Sequence, residues 1–109
     1  MPIPCLACDA LFRPDEYFPA CHDYDRRADL VSWICPRCGN RDELRVFTGE
    51  LVYGHARRGG FDAEDRVPVP GLRRRRHDAR LDITLDGTTW RVPARARRPA
   101  KAPGPPRGL

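Results

Sequence analysis

Apolar and polar residues alternate most cleanly between positions 81 and 92. Leu81, Ile83 and Leu85 are interleaved with Asp82, Thr84 and Asp86, the period of two expected of a half-buried strand. Asp86-Gly87 follows, a dipeptide suited to a two-residue type I′ turn. With those two at the turn, Leu85 faces Thr88, Thr84 faces Thr89, Ile83 faces Trp90, Asp82 faces Arg91 and Leu81 faces Val92. One face of the predicted hairpin is then Leu81, Ile83, Leu85, Trp90 and Val92. The other pairs Thr with Thr and Asp with Arg, each pair worth about 0.2–1 kcal/mol. A slip of one residue would turn the apolar face to water. The register is therefore defined, and the apolar face must cover something.

Elsewhere the patterns are shorter. Leu30-Val31-Ser32-Trp33-Ile34 is β-rich and reads as a central strand. Residues 44–47 and 51–53 read as two more strands, with Thr48-Gly49-Glu50 as a bend between them. Ala10-Leu11-Phe12 reads as a first, short strand. Residues 13–29 lack a sustained period, and Pro14, Pro19 and five acids predict a loop. Tyr17, Phe18 and Tyr24 are expected to fold back over the sheet; the other reading makes them a partner-binding surface. Asn40-Arg41-Asp42-Glu43 reads as a turn. Residues 54–66, with Gly54, Gly59, Gly60 and three acids, read as a flexible loop. Val67-Pro68-Val69-Pro70-Gly71 is extended, because alternating prolines exclude helix and favour a sheet edge. Residues 93–109 hold five prolines, five basic residues and one large apolar side chain. That is too little burial to offset the ordering entropy, so a disordered tail is expected. There is no convincing amphipathic helix, no internal repeat and no run of 18 apolar residues that would span a membrane. The expected fold class is small and mostly β.

Two cysteine pairs punctuate these strands: Cys5-Leu6-Ala7-Cys8 and Cys35-Pro36-Arg37-Cys38. Two thiolates at that spacing, on a tight turn, grip one metal ion. Two such turns supply four sulfurs, a closed tetrahedral shell for zinc. Pro36 pre-sets the second turn, and Gly39 takes the positive φ needed to leave it. Asp9 holds the equivalent place in the first turn and tolerates the left-handed conformation better than most residues. A core this small commonly needs a staple. Met1-Pro2-Ile3-Pro4 has no basic segment followed by an apolar one, so no signal peptide is expected. In the cytoplasmic, reducing setting this implies, the paired cysteines are better read as metal ligands than as disulfides.

The paired motif resembles the zinc ribbon family over roughly the first 45 residues. That resemblance implies a ribbon at residues 1–50, with Cys5, Cys8, Cys35 and Cys38 as ligands of a structural Zn2+. A β-hairpin region at 51–92 would then pack on the ribbon, ahead of the disordered basic tail at 93–109. Zinc ribbons serve many functions, so the resemblance says little about activity. Trp33-Ile34-Cys35-Pro36-Arg37-Cys38-Gly39 also looks like the second metal turn of a rubredoxin, which would make the ion iron and the protein an electron carrier. Asp9 in place of Gly, Ala10 in place of an aromatic residue and the short spacer depart from that pattern. Zinc is thus the expected cofactor and iron the lesser alternative.

The remaining chemistry is sparse. Cys21 lacks a Cys-x2-Cys partner and reads as a free thiol or a substitute ligand. The irregular spacing of Cys21, His22, His55 and His77 argues against a second metal site. No nucleophile–base pair, phosphate-binding Gly loop or carboxylate pair is visible, and no βαβ pattern that would suit a redox Cys-x2-Cys. A non-enzyme is expected.

Charge changes the picture more. The formal net charge is +5, unevenly placed. Residues 1–50 carry six arginines against nine acids, residues 51–92 carry nine against six, and residues 93–109 carry five basic residues and no acid. Arg57, Arg58, Arg73, Arg74, Arg75, Arg76 and Arg80 are the candidate phosphate contacts for DNA or RNA. Four consecutive arginines repel one another unless something anionic compensates. The bland rival is a solvated loop whose arginines pair with Asp62, Glu64, Asp65 and Asp78, in a chain whose Arg-rich composition a GC-rich gene would write anyway. The expected function is a non-catalytic, nucleic-acid-associated accessory protein. The alternative is a protein-interaction module of a transcription or translation complex.

Overall fold

The computed structural model describes residues 2–53 and 65–95, which form ten strands, one turn of α-helix and one 3-10 turn. β1 (Ile3–Pro4) and β2 (Leu11–Phe12) pair antiparallel around the first cysteine turn. α1 (Pro14–Tyr17) and the 3-10 turn at Phe18–Ala20 follow. Five antiparallel strands then pair in chain order: β3 (Cys21–Asp25), β4 (Leu30–Ile34), β5 (Arg41–Phe47), β6 (Glu50–Tyr53) and β7 (Asp65–Pro68). A second sheet places β9 (Arg80–Leu85) between β8 (Arg73–Arg76) and β10 (Thr88–Pro93). The small, mostly-β class expected from the alternating patterns is the class observed.

The β9–β10 hairpin has the predicted register, from Leu85 opposite Thr88 to Leu81 opposite Val92. Asp86 and Gly87 take φ of +52° and +81°, the sign a type I′ turn requires at both positions. Leu81, Ile83, Leu85 and Val92 are buried, and Trp90 packs on Phe18 at 4.9 Å between ring centroids. What this face covers is the larger sheet. One core cluster joins Tyr24, Val31, Leu44, Val46 and Leu51 to Leu72, Leu81, Ile83 and Val92.

The backbone stitches the two sheets together at two places. The Gly49 N–H donates to the Leu72 carbonyl at 3.0 Å, and the Val69 N–H donates to the Gly49 carbonyl at 2.9 Å. Past β10, Ala94 bridges Tyr24 in parallel, and the Arg95 N–H donates to the Tyr24 carbonyl at 2.8 Å. The end of the hairpin thereby continues onto the free edge of β3.

Several local expectations are corrected. The stretch 13–29 is not a plain loop, since it holds α1, the 3-10 turn and β3. Pro14 sits where a helix can begin without an N–H, and the Arg13 N–H donates to the Glu16 carboxylate at 2.9 Å. β3 was hidden by a bulge. Cys21 pairs with Trp33 and Asp23 with Ser32, leaving His22 as the extra residue. The bulge lets Cys21 and Tyr24, three positions apart, both be buried, which breaks the period of two. The turn expected at 40–43 is strand from Arg41, because Arg41 and Asp42 pair with Ile34 and Trp33. The loop expected at 54–66 gives way to β7 from Asp65, an edge strand that ends at Pro68. Pro70 and Gly71, expected to continue extended, form a turn with Gly71 at φ +88°, and residues 54–64 lie outside the described residues. Arg73–Arg76 is an edge strand rather than a solvated loop. Tyr17, Phe18 and Tyr24 are fully buried, so they fold over the sheet and offer no partner surface.

Candidate metal centre

The two cysteine turns share one backbone pattern. The Asp9 N–H donates to the Cys5 carbonyl and the Cys5 N–H to the Ala10 carbonyl, both at 2.8 Å. The Gly39 N–H donates to the Cys35 carbonyl at 3.0 Å, and the Cys35 N–H to the Asn40 carbonyl at 2.9 Å. Asp9 and Gly39 leave their turns at φ of +64° and +77°, the left-handed exit expected of both. The first turn closes β1 onto β2 and the second connects β4 to β5.

Each turn buries its first cysteine and exposes its second: Cys5 and Cys35 are buried, Cys8 and Cys38 exposed. The four Sγ atoms lie within 4.8 Å of one another. Cys5 Sγ is 3.8 Å from Cys38 Sγ, and Cys8 Sγ is 3.9 Å from Cys35 Sγ. A tetrahedron with Zn–S bonds of about 2.3 Å has edges of about 3.8 Å, so the sulfurs fit a single ion. The N–H groups of Arg37 and Cys38 donate to Cys35 Sγ at 3.3 Å, and that of Asn40 to Cys38 Sγ at 3.4 Å. Such donors stabilise thiolate charge and hold the ligands in place. Burial pushes the Cys5 thiol up to about 12, despite N–H donation from Cys8 and Ala7. At Cys35 burial also raises the value, but the N–H groups of Cys38 and Arg37 outweigh it and bring the thiol down to about 7. An ion bound here would displace the protons that these thiols otherwise hold.

The aromatic core stands directly behind the second turn. Trp33 stacks on Tyr17 at 4.5 Å, meets Phe12 edge-on at 5.9 Å and donates its indole N–H to the Tyr17 carbonyl at 3.0 Å. The Tyr17 and Tyr53 hydroxyls bond to each other. Cys21 is buried among these residues, outside the four-sulfur group, and burial pushes its thiol up to about 12. It is a packed free thiol. Among the described residues no second group of metal-donor side chains forms, and His55 lies outside them.

The arginines expected to act together are divided by strand geometry. On β8, Arg74 and Arg76 face the same side as Ile83 and Leu81, while Arg73 and Arg75 face the side of Thr84 and Asp82. Arg74 Nη1 bonds Asp29 Oδ1 at 2.6 Å, and the Tyr24 hydroxyl donates to the same oxygen at 2.7 Å. The Arg74 guanidinium also lies 5.7 Å from the centre of the Phe47 ring. Arg76 Nη2 donates to the Arg26 carbonyl at 3.1 Å. These two arginines tie the small sheet to the β3–β4 turn. Arg73 and Arg75 are exposed and have no carboxylate partner among the described residues. Arg80 Nε donates to Asp82 Oδ1 at 2.7 Å. The expected partner Asp78 pairs with Arg26 at 3.6 Å instead. Arg57 and Arg58 lie outside the described residues, as do positions 96–109 of the expected tail. The first three residues of that stretch are not a disordered tail, since Pro93 ends β10, Ala94 bridges Tyr24 and Arg95 pairs with Asp23 at 2.7 Å. Arg91, which faces Asp82 in the predicted hairpin, is not among the phosphate contacts expected from the sequence. Its pairing opposite Asp82 is legible in the hairpin register, and Arg75 pairs with Asp82 from the other side, so the three share one row across the sheet.

No helix among the described residues is long and apolar enough to cross a membrane. No protein-family model, no curated protein and no solved structure matches this chain.

Proposed function

We propose that this is a non-catalytic zinc-ribbon module of a reducing compartment that associates with nucleic acid through its Arg-rich half. The zinc would be held by Cys5, Cys8, Cys35 and Cys38, and would supply folding free energy rather than reaction chemistry. The observation that carries the nucleic-acid reading is the exposure of Arg73 and Arg75 on one sheet face without a carboxylate partner among the described residues. Arg57, Arg58 and the basic residues after position 95 would add to the same positive field. Zinc is favoured over iron because a net charge of +5 concentrated in the C-terminal half suits a polyanion partner better than an electron-transfer encounter.

Two measurements test this. Metal analysis of protein purified under reducing conditions should find one zinc per chain in a colourless preparation. A red preparation with one iron per chain replaces zinc by iron and the module by an electron carrier. Titration with DNA and RNA should give affinity that falls steeply between about 50 and 200 mM salt, as phosphate contacts release counterions. If neither nucleic acid binds at low salt, the protein-interaction reading takes over. One observation favours that second reading: Leu6 within the first metal turn, and Leu11 and Ile34 near the turns in the chain, are exposed large apolar side chains.

A further inference from the structure

We propose that the nucleic acid this protein takes is double-stranded, and that it is held by its phosphates on the outward face of the β8–β9–β10 sheet without base contacts. The proposal rests on the nucleic-acid reading above and narrows it.

Strand pairing lays this face out in rows. Arg73, Thr84 and Thr89 stand side by side across the three strands, and so do Arg75, Asp82 and Arg91. Neighbouring strands lie about 4.8 Å apart, and alternate residues along a strand about 6.8 Å apart. The Cα positions of Arg73, Arg75 and Arg91 therefore span a patch roughly 10 Å by 7 Å. All three are exposed, and Arg80 stands next along β9. Asp82 is the one carboxylate in these rows, and it is already engaged. It accepts from Arg80 Nε at 2.7 Å and lies 3.0 Å from His77 Nε2 and 4.0 Å from Arg91 Nε. The hydrogen bond from Arg80 holds it ionised below its ordinary value. Its charge is thus offset by the arginines around it. Asp86 sits beyond the rows, in the hairpin turn.

The face also lacks what a single-strand binder needs. Single strands are held by stacking bases on aromatic side chains, worth about 1–3 kcal/mol per base. Trp90 is the one aromatic residue of the three strands. It belongs to the opposite side of the sheet, paired with Ile83 and packed on Phe18. A three-stranded sheet is also broader than the helix or two-stranded ribbon that the major groove admits for reading base edges. What remains is charge on a rigid lattice. A duplex presents one phosphate per ~1.7 Å of axis against ~3.4 Å for each strand, so it gives such a lattice the greater return.

The test uses the intact, metal-loaded protein with a short DNA duplex of arbitrary sequence and an oligothymidine strand of the same length. Anisotropy titrations run from about 50 to 200 mM salt. The duplex should bind, and the single strand should bind about tenfold more weakly or worse. The triple variant R73A/R75A/R91A changes exposed side chains and should stay folded, checked by circular dichroism and metal content. It should flatten the log–log salt slope for the duplex by about 2.7, at roughly 0.9 per lost phosphate contact. A single strand bound as tightly as the duplex overturns this inference and leaves the nucleic-acid reading standing. Duplex binding with an unchanged slope in the triple variant overturns the assignment of this face. Failure of both probes to bind at low salt removes the broader reading, and this one with it.

Discussion

At the scale of single residues, position within an element decides what each cysteine and tyrosine does. Cys35 and Cys21 are both buried, yet only Cys35 stands on a turn that N–H groups converge on. Cys35→Ser should abolish stoichiometric metal and unfold the protein, read by metal analysis and circular dichroism. Cys21→Ala should keep the metal and lower stability by about 1 kcal/mol, an ordinary cost for trimming a packed side chain. The three tyrosines behave as one class because all are buried. Burial pushes Tyr24 up to about 12, aided by its bond to Asp29, and raises Tyr17 and Tyr53 as well. A phenol whose folded value exceeds its unfolded value of about 10 favours the fold fully below pH 10. That contribution is lost as pH rises from about 10 towards 12. Phenolate absorbance should therefore stay flat past pH 10 in the folded protein and rise together with alkaline unfolding. A titration midpoint near pH 10 with the fold intact would contradict the burial.

At the scale of elements, the hairpin and β8 show how far alternation reaches. The hairpin's register follows from Asp86-Gly87 and one apolar face, and both the turn and the face are observed. Gly87 at φ +81° has no heavy atom within 4 Å of an added Cβ. Gly87→Ala thus meets no clash, only the left-handed backbone penalty of about 1–2 kcal/mol. Urea denaturation should show that loss with an unchanged slope against denaturant. β8 is the instructive counterpart. Four identical residues carry no hydrophobic period, so nothing in Arg73–Arg76 announces a strand. Its apolar neighbour Leu72, the register against β9 and the Asp29 carboxylate settle the question from outside. β3 was missed for a different reason: its bulge shifts the burial rhythm by one residue.

At the scale of the whole molecule, the metal centre and both sheets share one core. Cys5 and Cys35 belong to the same buried cluster as Leu81 and Val92. A structural zinc contributes about 10–16 kcal/mol in zinc-finger peptides, as much as or more than the 5–15 kcal/mol net stability of a typical domain. Chelation should therefore unfold both sheets in one transition. Far-ultraviolet circular dichroism and tryptophan fluorescence from Trp33 and Trp90 should change at the same chelator concentration. Two separated transitions would show that the small sheet stands without the metal.

Spacing and alternation alone were enough to identify the four sulfurs, their left-handed exits at Asp9 and Gly39, the hairpin register and the mostly-β class. The two cysteine turns, their exits and the hairpin each depend on residues close in sequence, where backbone geometry leaves few alternatives. Tertiary structure decided the rest. It turned the stretch around Tyr17, Phe18 and Tyr24, read as a loop, into a helical turn, a 3-10 turn and a bulged strand. It gave Asp29, far away in sequence, to Arg74, and so divided one basic run into two side chains bonded to the β3–β4 turn and two without a carboxylate partner among the described residues. No local pattern contains that outcome, because which face of an edge strand meets a carboxylate depends on what the remainder of the chain packs against it.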